Sequence, residues 1–146
     1  MTPKFVFTFV FALGMVVLTG CGNNVQLRGT VTFSDDDTPL STGVVCFVSG
    51  DGRMSRGIIR SDGTYAVSTN QPGDGMPPGT YTVYLIDTEM LERIPTGNVD
   101  GDFVERTIQT VDRKYRSPTT SGITVTVDSS TRTFDFQVGR YQGRSR

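Results

Sequence analysis

Carboxylates and thiols are the side chains in this 146-residue sequence whose type and spacing could do chemistry, for it contains no histidine at all. Asp35, Asp36 and Asp37 stand in one run and could offer oxygens to calcium, an ion that takes about six to eight of them. Neighbouring side chains diverge, however, and acids between two strands commonly sit in a solvated turn, so the run reads first as a turn. Asp100 and Asp102, in GNVDGDF, have the i, i+2 spacing of a cation-binding loop without the distal bidentate glutamate such a loop requires. No metal and no cofactor are expected. Of the two cysteines, Cys46 lies in VVCFV with no Lys or Arg adjoining to lower its pKa, and it reads as a small strand residue.

Without histidine there is no imidazole base or ligand, and without tryptophan there is no indole platform for sugar. A hydrolase would have to rely on paired carboxylates or a Ser-Lys pair, and neither has a convincing placement, so an enzyme is not expected. The 14 basic and 15 acidic residues leave a net charge of -1, with no basic field to hold a nucleic-acid backbone. Tyr84, Tyr115 and Tyr141 remain as scattered, exposed aromatic residues. The tail GRYQGRSR, with Arg140, Arg144 and Arg146, could touch anionic lipid or polysaccharide but reads first as a solvated terminus.

The opening stretch MTPKFVFTFVFALGMVVLTGC has the parts of a signal peptide: Lys4 in a positive start, then an uncharged apolar segment over 5–17. That segment is too short to cross ~30 Å of hydrocarbon, and no charged stop-transfer cluster follows it. Leu18, Thr19, Gly20 and Cys21 resemble the lipobox of bacterial lipoproteins. The resemblance implies cleavage before Cys21, a thioether from its sulfur to diacylglycerol, and membrane lipid as a partner. At about 0.8 kcal/mol per buried CH₂, two or three acyl chains make such an anchor effectively permanent. The alternative is an ordinary secreted protein with a free Cys21. Lipidation leaves Cys46 alone, so no intrachain disulfide is expected. Gly22 stands where some double-membraned bacteria place an inner-membrane retention aspartate, which favours the outer membrane over the inner.

The elements that would carry these residues are strands. Apolar residues alternate with polar ones in 80–86 (Tyr81, Val83, Leu85), in 122–128 (Ile123, Val125, Val127) and in 133–138 (Phe134, Phe136, Val138). Leu27, Val31 and Phe33 follow the same rule, and 44–48 is a continuous apolar run suited to a strand covered on both sides. Segments 57–60 and 64–69 flank Ser61-Asp62-Gly63, the best hairpin signal in the chain. The loop 128–131 predicts that the last two strands are antiparallel neighbours. Seven strands result, and two packed sheets would bury their apolar faces: an all-β sandwich with Greek-key connections.

Two stretches fall outside these strands. QPGDGMPPG, 71–79, reads as a rigid Pro/Gly connector. The excursion 88–121 contains EMLER, read as a helical turn, and serves either as a lid in which Ile94, Phe103, Ile108 and Val111 cover the core or as a binding surface. The chain then divides into a signal peptide, 1–20; a lipidated start and tether, 21–25; one sandwich domain, 26–138; and a basic tail, 139–146.

With the strands placed, GTVTF, DTPLSTGVVCFVS, SDGTYAVST and PPGTYTVYL together resemble the carboxypeptidase regulatory-like, or transthyretin-like, domain over 29–85. The matching residues are Pro39 and Leu40, Gly43 and Val44, Asp62, Gly63 and Tyr65, and Gly79 with Tyr81. Downstream, KYRSPTTSGITVTV and FDFQV look like the end of small bacterial lipoproteins that carry this domain alone, which extends the resemblance to Val138. The acidic run before Pro39 and the segment around GNVDGDF depart from it. The family implies a seven-stranded prealbumin-like sandwich with a non-catalytic structural, adhesive or binding role, and its purine-pathway hydrolases use histidines that this chain lacks. The expected function is a lipid-anchored module of the cell envelope facing a protein or polysaccharide. The alternative is a small-ligand, carbohydrate or calcium-binding lipoprotein that uses 88–121. With about four residues between Cys21 and the first strand, the domain would sit within ~14 Å of its membrane.

Overall fold

The structure is a computed structural model that describes residues 23–97 and 101–143. The chain is all-β: β1 (Arg28–Phe33), β2 (Val44–Ser49), β3 (Met54–Ile58), β4 (Thr64–Ala66), β5 (Gly79–Ile86), β6 (Glu89–Pro95), β7 (Phe103–Gln109), a one-turn 3₁₀ helix (Arg113–Arg116), β8 (Ile123–Val127) and β9 (Phe136–Val138). One sheet has the order β4-β1-β9, a second β3-β2-β5-β8, and β6 and β7 form a separate two-stranded ribbon. The first two sheets face each other as a sandwich. Their inward side chains, Val31, Phe33, Tyr65 and Val138 on one side and Val45, Phe47, Tyr81, Val83, Leu85 and Val127 on the other, make one core. Phe47 stands at its centre, with ring centroids 6.1 Å from Tyr65, 6.5 Å from Tyr81 and 6.4 Å from Phe134.

Alternation identified the inward faces, and the structure agrees: Tyr81, Val83 and Leu85 of β5 are buried, while Thr80, Thr82 and Tyr84 between them are not. Cys46 is buried although it alternates with Val45 and Phe47, so it lies on the outer face of β2, beside Tyr84 of β5 and Arg56 of β3. The outer face of β2 is thus covered at Cys46 but only half-buried at Val44 and Val48, so the apolar run is covered on both sides at its centre alone.

Strand partners differ from the expectation in two places. The last two strands are not neighbours: β8 pairs antiparallel with β5, whereas β9 runs parallel to β1, with Val31 opposite Phe136 and Phe33 opposite Val138. The loop 128–131 therefore crosses from one sheet to the other, in a turn where Asp128 accepts hydrogen bonds from the backbone N–H groups of Ser130 and Thr131. Both strands bury the faces that alternation assigned, because that pattern reports the face of a strand and not its partner.

The second difference is at the Asp62-Gly63 turn. It forms as expected, with Arg60 N–H donating to the Thr64 carbonyl and Gly63 at φ +80°. Yet β3 joins β2 and β4 joins β1, and a single bridge between Arg56 and Ser68 links them. The hairpin is a corner of the sandwich.

The two ends of the sandwich are distinct. Val25 bridges Met76 just before β5, so the chain enters at the end where β5 begins. β5 then runs eight residues to Ile86, ~26 Å at ~3.3 Å per residue, and the ribbon leaves from that opposite end.

Candidate functional site

Residues singled out by the sequence fall into three groups. The scaffold set is brought together mostly as packing. The N–H of Leu40, which is buried, donates to the Val31 carbonyl at 2.9 Å, and a Cβ on Gly63 would lie 2.8 Å from both Pro39 Cβ and that same carbonyl oxygen. Asp62 accepts from the hydroxyl and N–H of Thr64, and these two donors hold its carboxyl below the usual range. Tyr65 Oη donates to the Phe134 carbonyl at 2.5 Å, and burial pushes its phenol up. At the other end Tyr81, which follows Gly79 into β5, donates from Oη to the Pro77 carbonyl at 2.8 Å. These contacts make turns and a core, and none leaves a reactive group free.

The second group is the acidic run, and its partner is Arg140. Nε of Arg140 lies 2.9 Å from Asp35 Oδ2, and Nη2 reaches both oxygens of Asp36 at 3.0 and 2.9 Å. Its guanidinium also stacks over Phe33, 3.8 Å from the ring centroid. The Thr38 hydroxyl and N–H, and then Arg140, hold the Asp36 carboxyl below the usual carboxylate range. Asp37, in the left-handed region at φ 57°, accepts from Gln137 Nε2. The run is thus a bracket between the β1 turn and the chain after β9. The expectation of a solvated tail is corrected as far as Tyr141: Arg140 bridges Val111, and Tyr141 N–H donates to the Thr110 carbonyl.

Beside this bracket lies an open cleft of about 340 Å³, lined by Ser34, Asp35, Asp112, Arg113, Arg140 and Tyr141. Asp112 caps the 3₁₀ helix by accepting from Lys114 N–H at 3.0 Å. No three acidic or cysteine side chains converge as a cation cage among the described residues. Arg140 already neutralises the carboxylates that calcium would need. Millimolar calcium is therefore expected to leave the melting temperature of the full chain unchanged. A rise equivalent to the ~2.7 kcal/mol that a ligand gives at a hundred times its Kd would restore the run as a calcium site.

The third group is the 88–121 excursion, where two expectations are corrected. EMLER is not a helical turn but most of β6, paired with β7 from Glu89 opposite Gln109 to Pro95 opposite Phe103. Cross-strand partners of matching size, Ile94 with Val104 and Met90 with Ile108, favour the ribbon over a turn whose apolar residues would have had no surface to cover. Nor is the segment a lid: Val111 is in the core and Ile108 half-buried, but Ile94 is 39% and Phe103 49% exposed. Asp102 lends its backbone carbonyl to Thr96, closing the ribbon's far end. Asp100, like Leu18, Thr19, Gly20 and Cys21, lies outside the described residues. Of the three tyrosines read as exposed, Tyr84 and Tyr115 are half-buried, and Tyr141 alone is open.

The organising roles of two side chains escaped the sequence reading. Asp74 accepts from the N–H groups of Thr69, Asn70 and Gln71 at 2.7, 2.9 and 3.0 Å, and these bonds lower its pKa and lock the 71–79 connector. An aspartate between two glycines in a Pro/Gly loop was its available signal. Arg140 had none, because it meets Asp35 across 105 residues of chain.

No protein-family model and no curated protein matches the chain. Among solved structures, it is similar to the major pilin subunit BcpA of Bacillus cereus at 11% identity and a TM-score of 0.43, over 80% of this chain and 30% of the pilin. A second structure of the same pilin gives 0.42, over 80% and 29%. A 9R-lipoxygenase from Cyanothece matches at 15% identity and 0.31, over 77% of this chain and 16% of the enzyme. The chain spans less than a third of the length of each of these proteins.

Proposed function

We propose that this protein is a non-catalytic, lipid-anchored module of the cell envelope, a prealbumin-like sandwich held on the membrane through a thioether at Cys21. The observation that carries the reading is the apolar leader ending in Leu18-Thr19-Gly20-Cys21 immediately ahead of a folded domain. Val25, which bridges Met76, stands four positions after Cys21, so a short stretch ties the sandwich to the anchoring position. The end that carries the 71–79 connector then faces the lipid within ~14 Å, and the ribbon points away from it. Among the described residues no helix is long and apolar enough to cross a membrane.

The three-plus-four arrangement of sheet strands supports the prealbumin type and the likeness to carboxypeptidase regulatory-like domains. A structural or binding role is favoured over catalysis because the chain has no histidine and its clustered carboxylates are committed to Arg140 and to turn N–H groups. The outer membrane is preferred over the inner on the strength of Gly22, and an envelope protein or polysaccharide is the partner class. Fractionation tests the anchor: Cys21→Ser is expected to move the protein from the membrane pellet to the soluble fraction. A variant that stays in the pellet, wild-type-like, removes the lipid from the account.

A further inference from the structure

We propose that two copies of this chain pair through the outer edge of β7, joining their ribbons into one four-stranded antiparallel sheet with Val104 on the twofold axis. This goes beyond the anchoring reading and does not depend on it. A two-stranded ribbon is at best marginally stable by itself. Here β6 and β7 are exposed along almost their whole length, with Leu91 68%, Phe103 49% and Val104 56% exposed.

The hydrogen-bond parity of the ribbon says which edge is open. Thr110 N–H donates to the Thr88 carbonyl and Thr96 N–H to the Asp102 carbonyl, so even-numbered residues form the bonded pairs and odd-numbered ones point their backbone groups outward. On β6 the outward residues are Glu89, Leu91, Arg93 and Pro95, and Pro95 has no N–H to give. On β7 they are Phe103, Glu105, Thr107 and Gln109, an edge with every donor and acceptor intact. Such an edge is a template for another strand.

Charge selects the occupant and the register. With Val104 opposite the partner's Val104, outward residues meet as Phe103 with Glu105, and Asp102 faces the partner's Arg106 on both sides of the axis. A cross-strand row then runs Ile94, Val104, the partner's Val104 and the partner's Ile94. In the flanking rows Arg106 stands between its own Glu92 and the partner's Asp102. Moving the axis to Glu105 or to Arg106 puts like charges opposite each other, and moving it to Phe103 leaves Asp102 opposite the partner's Val104 and loses its pairing with Arg106. The contact is isologous, as a closed dimer requires.

Two measurements on the full-length protein in its membrane or detergent test this. Paired Cα atoms at non-bonded positions lie ~4.5 Å apart, within disulfide range, so Val104→Cys should give a covalent dimer under mild copper-phenanthroline oxidation. Leu91→Cys, on the far edge of β6, should not. In sedimentation, Arg106→Asp should weaken the dimer at least tenfold, and adding Asp102→Arg should restore it. A wild-type chain that stays monomeric at tens of micromolar, cross-linking at Leu91 equal to that at Val104, or a double swap that fails to rescue would each overturn the pairing.

Discussion

Gly29→Ala is expected to destabilise the domain by about 3 kcal/mol or more and to lower its melting temperature by roughly 10 °C. Gly29 is a buried β1 residue opposite Tyr65 of β4, and the carbonyl of Phe134 rests directly over its Cα. A Cβ there would lie 2.0 Å from that oxygen and 2.7 Å from Tyr65 Oη. Neither neighbour can swing aside cheaply. The carbonyl is backbone, the N–H of the same residue donates to the Arg28 carbonyl, and the Tyr65 phenol is the donor that satisfies it. The methyl group would therefore push the 132–135 segment off β1 and break the Tyr65 hydrogen bond, leaving buried polar groups unpaired at a further ~1–3 kcal/mol. Gly50→Ala is the control: nothing lies within 4 Å of its Cβ, and its melting temperature should match wild type. Equal melting curves for the two variants would show that the contact over Gly29 is not part of the folded state.

Phe47→Ala is expected to cost about 3–5 kcal/mol in urea or thermal unfolding, the range for emptying a buried aromatic site. Its ring is fully buried in β2 and touches three aromatic rings: Tyr65 and Phe134 across the sandwich, and Tyr81 beside it. Edge-on and tilted contacts of this kind add to the area term. Tyr81 sits on β5, which is paired on both sides, and Tyr65 and Phe134 are tied to each other by a hydrogen bond, so collapse into the space is limited. Against a total stability of ~5–15 kcal/mol, such a loss leaves a domain close to unfolding. Phe47→Leu, which keeps most of the volume, should lose less than half as much. A loss below about 1 kcal/mol for the alanine variant would mean that the two sheets do not meet at this residue.

Stability and interaction are separated along the molecule. Core, connector and the Tyr65 and Tyr81 hydrogen bonds occupy the sandwich, whereas the exposed apolar residues of the ribbon contribute little to burying the core. Substitutions of the exposed side chains of β7 and of Asp102 should thus alter the proposed association without unfolding the sandwich, which is what makes the charge-swap test readable.

The amino-acid sequence by itself determined the all-β class, the apolar opening segment and its cysteine, the absence of imidazole chemistry, and which side chains turn inward in the strands that alternate clearly. These are local properties. A period of two is set by the pleat of a single strand, and Tyr65, Tyr81, Val83 and Phe136 carry it whatever strand lies beside them. Tertiary structure alone decided the partners: β8 beside β5 and β9 parallel to β1, β3 and β4 parted at the Asp62-Gly63 corner, the Glu89–Pro95 segment drawn out as a ribbon, and Asp35 and Asp36 closed by Arg140. Each of those choices compares contacts between residues far apart in the chain, and the closure entropy of a loop rises only slowly with its length, so spacing along the sequence hardly distinguishes one partner from another. What distinguishes them is the fit of whole faces in three dimensions.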